Sequence, residues 1–102
     1  MLLQTKDIIE KLRAEKEHFQ QRFGVASLVL FGSYAKNKQK AGSDIDFMYE
    51  LPPNGTMPYM RLIHLEQYIS ALLGIEKVEM VNKSYAEPII FQQIQQQGIA
   101  IF

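Results

Sequence analysis

Apolar positions recur at helical spacing between Asp7 and Phe23, where Ile9, Leu12, Phe19 and Phe23 form one stripe and Glu10, Lys11, Glu15, Lys16 and Gln20 fall mostly outside it. This predicts one amphipathic helix, with Asp7 as its cap, Glu10 three residues on as a capping-box partner, and Gly24 as its stop. The next run, Ala26 to Phe31, is apolar and rich in strand formers, which predicts a buried strand. Ser33 to Lys36 then reads as a short helix or turn, and Asn37 to Ser43 as a polar loop.

A second strand is predicted from Asp44 to Leu51, closed by the breakers Pro52, Pro53, Asn54 and Gly55. Leu62, Leu65, Ile69, Leu72 and Leu73 set the stripe of a helix within about Met57 to Leu73, which Gly74 ends. Ile75 to Val81 reads as a third strand. Ser84 and Glu87 compete to cap the last helix, because Pro88 suits a first helical position. The glutamines from Gln92 to Gln97 fall on that helix as a solvated face. The resulting class is α+β: a small mixed three- to four-stranded sheet packed on helices, expected as one domain over residues 1–102.

Composition narrows the function classes. Eleven Lys and Arg balance eleven Asp and Glu, so no global field draws the chain onto polyanions, and direct nucleic-acid binding is not expected. The absence of cysteine excludes a disulfide framework, a thiolate metal site and a cysteine nucleophile. No stretch approaches the roughly 20 apolar residues of a bilayer crossing, and the charged, amphipathic start is unlike a signal peptide. A cytoplasmic protein without membrane partners is the expectation. His18 and His64 lack spaced ligand partners and are expected to be exposed, while Tyr34, Tyr49 and Tyr59 read as packing residues.

The chemistry lies in Gly32-Ser33 and in Asp44-x-Asp46. A glycine and a serine where a buried strand turns let a ligand approach the backbone, and the first free N–H groups and the serine hydroxyl favour a phosphate. Asp44 and Asp46 are two apart in a strand, so both leave one face while Ile45 and Phe47 point to the core. Side-by-side carboxylates repel unless a cation lies between them, which is how hard oxygen ligands for Mg²⁺ are arranged. Glu79 alternates with Val78 and Met80; if its strand adjoins the Asp44–Asp46 strand, three carboxylates converge. Such a set suits two-metal phosphoryl or nucleotidyl transfer. Asp44 and Asp46 would ligate two Mg²⁺ ions and Glu79 the second, also helping to take the nucleophile's proton. Gly32 and Ser33 would hold the phosphates of a nucleotide such as ATP, with Ser43 joining that binding set. Lys36, with Lys38 and Lys40, would neutralise the leaving pyrophosphate.

Gly32-Ser33, ten residues, then Asp44-x-Asp46, preceded by a hydrophobic strand and followed by a helix and an acidic strand, resembles the minimal nucleotidyltransferases of the DNA polymerase beta superfamily. These are the antitoxin-like partners of HEPN-domain toxins. The resemblance spans nearly the whole chain, to the terminal Gly98–Phe102. It implies transfer of a nucleotide monophosphate, AMP from ATP, to an acceptor hydroxyl, a tyrosine of a cognate HEPN toxin, within a homo- or hetero-oligomer. Two features depart from the family pattern: Tyr34 and Lys36 stand where basic residues of an arginine-rich segment are usual, and Glu79 stands for the usual aspartate. Two alternative readings are a scaffold that binds the HEPN partner without turnover and a nucleotidyltransferase acting on a small molecule.

Overall fold

The segment expected as one helix is two. In the computed structural model, which describes residues 3–102, α1 spans Thr5–Arg13 and α2 spans Lys16–Phe23. Between them the helical ladder tightens, with the Glu15 amide donating to the Leu12 carbonyl at 3.0 Å. Contacts from distant parts of the chain fix this junction. Arg13 donates to the Ile101 and Ala100 carbonyls at 2.9 Å each, and the Tyr68 hydroxyl donates to Glu15. The capping box does not form, because α1 begins at Thr5 and Asp7 lies inside its first turn, beside a Gln4 that makes no side-chain cap. Ile8 rather than Ile9 is the fully buried member of the stripe, together with Leu12, Phe19 and Phe23. Gly24 ends α2 in the left-handed conformation, as expected.

Strand β1 (Ser27–Phe31) pairs antiparallel with β2 (Ile45–Glu50), and β2 pairs parallel with β3 (Val78–Asn82). The parallel step needs a crossover, which α3 (Tyr59–Leu73) supplies. After a 3₁₀ turn at Lys83–Tyr85, α4 (Pro88–Gln97) leads to the two-residue β4 (Ile99–Ala100), which pairs antiparallel with the other edge of β1. The sheet is therefore mixed and four-stranded, in the order β3-β2-β1-β4. Pro88 at the start of α4 makes Glu87 its cap, whereas the Ser84 amide is taken by Asn82 in the 3₁₀ turn. The glutamines of α4 are largely exposed.

One face of the sheet carries Leu28, Leu30, Ile45, Phe47 and Tyr49 into a core shared with α1, α2 and α3. The alternate positions Val29, Phe31, Asp46, Met48 and Glu79 leave from the opposite face. Phe31 and Met48 are buried there, outside the main core, and α4 packs against β1.

One expected element takes the second of its two expected forms, and another starts later. Ser33–Lys36 forms consecutive turns and no helix: the Ala35 and Lys36 amides both donate to the Gly32 carbonyl, and the Lys38 amide to that of Ser33. The third strand begins at Val78 rather than Ile75, because Ile75 belongs to the end of α3. There Gly74 turns with φ 68°, Ser70 donates its hydroxyl to the Ile75 carbonyl at 2.6 Å, and the Ile75 side chain enters the core. No helix among the described residues is long and apolar enough to cross a membrane.

Candidate active site

Gly32 lies where β1 ends, and its neighbour Phe31 stands opposite Asp46 in the β1–β2 register. Its φ of +81° is a conformation that side chains resist. A Cβ there would also overlap the Asp46 carboxylate, lying 3.2 Å from Cγ. Glycine is thus favoured by the backbone, and any side chain there would displace the Asp46 carboxylate. Beyond it the Ser33 and Tyr34 amides donate to no protein acceptor among the described residues, whereas the following amides close turns.

Asp46 and Glu79 stand directly opposite one another across the parallel β2–β3 pair. Burial, then a side-chain hydrogen bond with Glu79 and the charge of Glu79, then the charge of Asp44, push the Asp46 carboxyl from its ordinary 3.8 up to about 7. Asp46 therefore keeps its proton to a higher pH than an isolated carboxyl would. Asp44, just before β2, is drawn to a cation: its Oδ2 lies 4.0 Å from Lys77 Nζ. Among the described residues no three acidic or histidine side chains already enclose one point. The structure thus brings Asp46 and Glu79 together and leaves Asp44 beside them, engaged with Lys77.

The other expected site residues lie in the segment between β1 and β2. Ser43 closes a turn of its own loop, its hydroxyl accepting from the Lys40 amide at 2.8 Å and its amide donating to the Lys40 carbonyl at 3.0 Å. Lys36, Lys38 and Lys40 are exposed and, among the described residues, form no ion pair. A cleft of about 550 Å³ opens next to Asp44, lined also by Tyr34, Gly42, Ser43, Glu76 and Lys77. Glu76 is exposed at its edge, before β3 begins.

Lys77 was absent from the sequence-derived set. Its signal was present in the alternation that places it two residues before Glu79, on the same side of that segment. Tyr34 and Tyr49 are buried, in keeping with packing roles. Tyr59 is not, at 75% exposed, because it opens α3 directly after Pro58 with nothing packed on it. His18 is half-buried rather than exposed; the break before α2 turns its ring onto Tyr68, 4.7 Å between centroids, and Phe23. His64 is exposed.

Comparison with known proteins places this geometry in context. A family model described as polymerase beta nucleotidyltransferase matches residues 13–102. A Methanocaldococcus jannaschii protein whose name places it among the protein adenylyltransferases is 38% identical over 99 residues, covering 96% of this chain and 95% of its own. The protein adenylyltransferase MntA of Thermococcus cleftensis is 35% identical over 83 residues, 81% of each chain. A chain in the crystal structure of a toxin–antitoxin complex of the MntA type superposes with a TM-score of 0.67 at 26% identity, over 99% of this chain and 73% of that one.

Proposed function

This chain belongs to the polymerase beta nucleotidyltransferase family, and we propose that it passes AMP from ATP to a tyrosine hydroxyl of a HEPN-type toxin, acting as that toxin's antitoxin. The observation that carries this reading is the placement of Asp46 against Glu79, beside Gly32 and on the side of the sheet that Asp44 borders. The names of the adenylyltransferase relatives support the choice of AMP, and the toxin–antitoxin setting of the related structure supports a partner protein as acceptor.

The donor set suits Mg²⁺. Carboxylate oxygens are hard donors, and Asp46 holds a proton well above its ordinary range because burial first, and then the hydrogen bond and charge of Glu79 and the charge of Asp44, disfavour its carboxylate, a condition that a divalent ion relieves. Asp44 and Asp46 would hold the ion that travels with the triphosphate, and the same two carboxylates with Glu79 a second. Bound there, Mg²⁺ neutralises charge on the phosphoryl oxygens and lowers the pKa of an acceptor hydroxyl.

The chain's own groups do the rest. Gly32 lets the triphosphate approach the backbone, where the free amides of Ser33 and Tyr34 and the Ser33 hydroxyl are offered to phosphate oxygens. The acceptor oxygen attacks the α-phosphorus, the α–β anhydride bond breaks, and pyrophosphate leaves toward Lys36. Glu79 takes the acceptor's proton. Ser43 contributes by holding the Lys40–Ser43 turn next to Asp44.

Calorimetry tests the reading at its base. ATP affinity is expected to collapse in EDTA and in the Asp44→Asn/Asp46→Asn double variant, and equal affinity with and without metal would refute the ligand assignment.

A further inference from the structure

Among the described residues Lys77 is the cation that pairs with the acidic face, and its position follows from the strand register. Ile45 stands opposite Val78 and Asp46 opposite Glu79, so one step back along both chains Asp44 faces Lys77. The Ile45 amide donates to the Lys77 carbonyl at 3.1 Å, which fixes the two backbones together at this point. The four side chains thus form a square of three carboxylates and one ammonium. The ammonium is loosely held: Nζ is 4.0 Å from Asp44 Oδ2, and the Lys77 and Asp44 side chains are 73% and 37% exposed. Both border the cleft of about 550 Å³ that opens beside Ser43.

We propose that Lys77 is a positioning residue that occupies Asp44 until a metal–triphosphate complex arrives and then turns its ammonium onto the phosphates. The inference rests on the reading of Asp44 and Asp46 as ligands of the nucleotide's metal. A free divalent ion must displace Lys77 from Asp44 and leave an unneutralised ammonium beside a dication. A metal that comes with a triphosphate brings the anion that receives the displaced ammonium. Lys77 thereby biases the site against bare metal and toward metal bound to nucleotide, a preference the three carboxylates alone would not give. Exposure makes the exchange easy, because a solvent-exposed pair holds its partners only weakly.

The test uses Mn²⁺ as the probe, titrated alone and together with a non-transferable ATP analogue, on the wild type, Lys77→Met, Lys77→Arg and Asp46→Asn. Lys77→Met is expected to bind Mn²⁺ alone about two- to fivefold more tightly, the range of an exposed ion pair, and the Mn²⁺–analogue complex about tenfold more weakly, the scale of one charged phosphate contact. Lys77→Arg, which keeps the charge, is expected to follow the wild type in both. Unchanged or weaker binding of Mn²⁺ alone by Lys77→Met overturns the proposal, and so does unchanged affinity for the complex. Asp46→Asn separates the two claims. If it binds the complex as the wild type does, the site reading itself fails; if it loses the complex while Lys77→Met matches the wild type, only the role of Lys77 fails.

Discussion

The space that a side chain at position 32 would need is filled by the carboxylate of Asp46. A single residue thus links the backbone at the end of β1 to the placement of a candidate ligand on β2. Gly32→Ala is expected to cost about 1–2 kcal/mol from the left-handed backbone alone, and more from moving Asp46. Thermal melts should show a fall of several degrees, at roughly 4–8 °C per kcal/mol for a domain of this size. Repeating the substitution on an Asp46→Ala background should lower its cost, since only the backbone term remains. Equal costs on both backgrounds would show that Asp46 has room to move aside.

The raised Asp46 pKa gives a signed pH dependence. Folded, the carboxyl keeps its proton up to about pH 7; unfolded, it loses it near its ordinary 3.8. The folded state therefore binds more protons between these limits, and this group's contribution to stability falls as pH rises from about 4 to about 7. Asp46→Asn removes the titration. Its melting temperature relative to wild type should climb across that window and level off above it. Affinity for Mg²⁺–ATP should move the other way, strengthening in the wild type from pH 6 to 8 as Asp46 gives up its proton.

Glu79→Gln keeps shape and hydrogen bonding but removes the charge facing Asp46. Transfer is expected to fall by roughly 10²–10⁴, the range for a positioned acid–base group, with ATP affinity nearly unchanged because Asp44 and Asp46 remain. Glu76→Gln, at an exposed position before β3, should be silent. Full transfer by Glu79→Gln would exclude this residue as the proton acceptor.

Arg13→Ala tests the fold apart from the site. It deletes both hydrogen bonds to the Ala100 and Ile101 carbonyls, with an expected cost of about 1–3 kcal/mol, as for bonds to a charged group. Denaturant unfolding measures it, and nucleotide affinity at saturating stability should not change.

What the sequence made legible is what local periodicity encodes. Alternation alone sent Ile45 and Phe47 inward and Asp46 outward, and placed Glu79 between Val78 and Met80; the pairing of β2 with β3 then brought the two carboxylates together. The break between α1 and α2 was hidden because Leu12, Phe19 and Phe23 fit a straight helix equally well. Its causes, Arg13 on the C-terminal carbonyls and Tyr68 on Glu15, lie 88, 87 and 53 residues away in sequence. Ile75 looked like strand because a buried apolar residue after a helix stop has the same composition as a strand start. Lys77 was passed over for a related reason: its significance comes from the residue opposite, and register between distant strands is not written in either strand alone.

Transfer to a partner protein is read directly in the intact mass of that partner. A candidate HEPN partner, incubated with the chain, ATP and Mg²⁺, is expected to gain the mass of one or more adenylyl groups. The gain should vanish with EDTA, with the Asp44→Asn/Asp46→Asn double variant, and when the acceptor tyrosine is replaced by phenylalanine. A partner that binds the wild-type chain stably yet gains no mass with ATP and Mg²⁺ would exclude transfer and leave a stoichiometric antitoxin in its place.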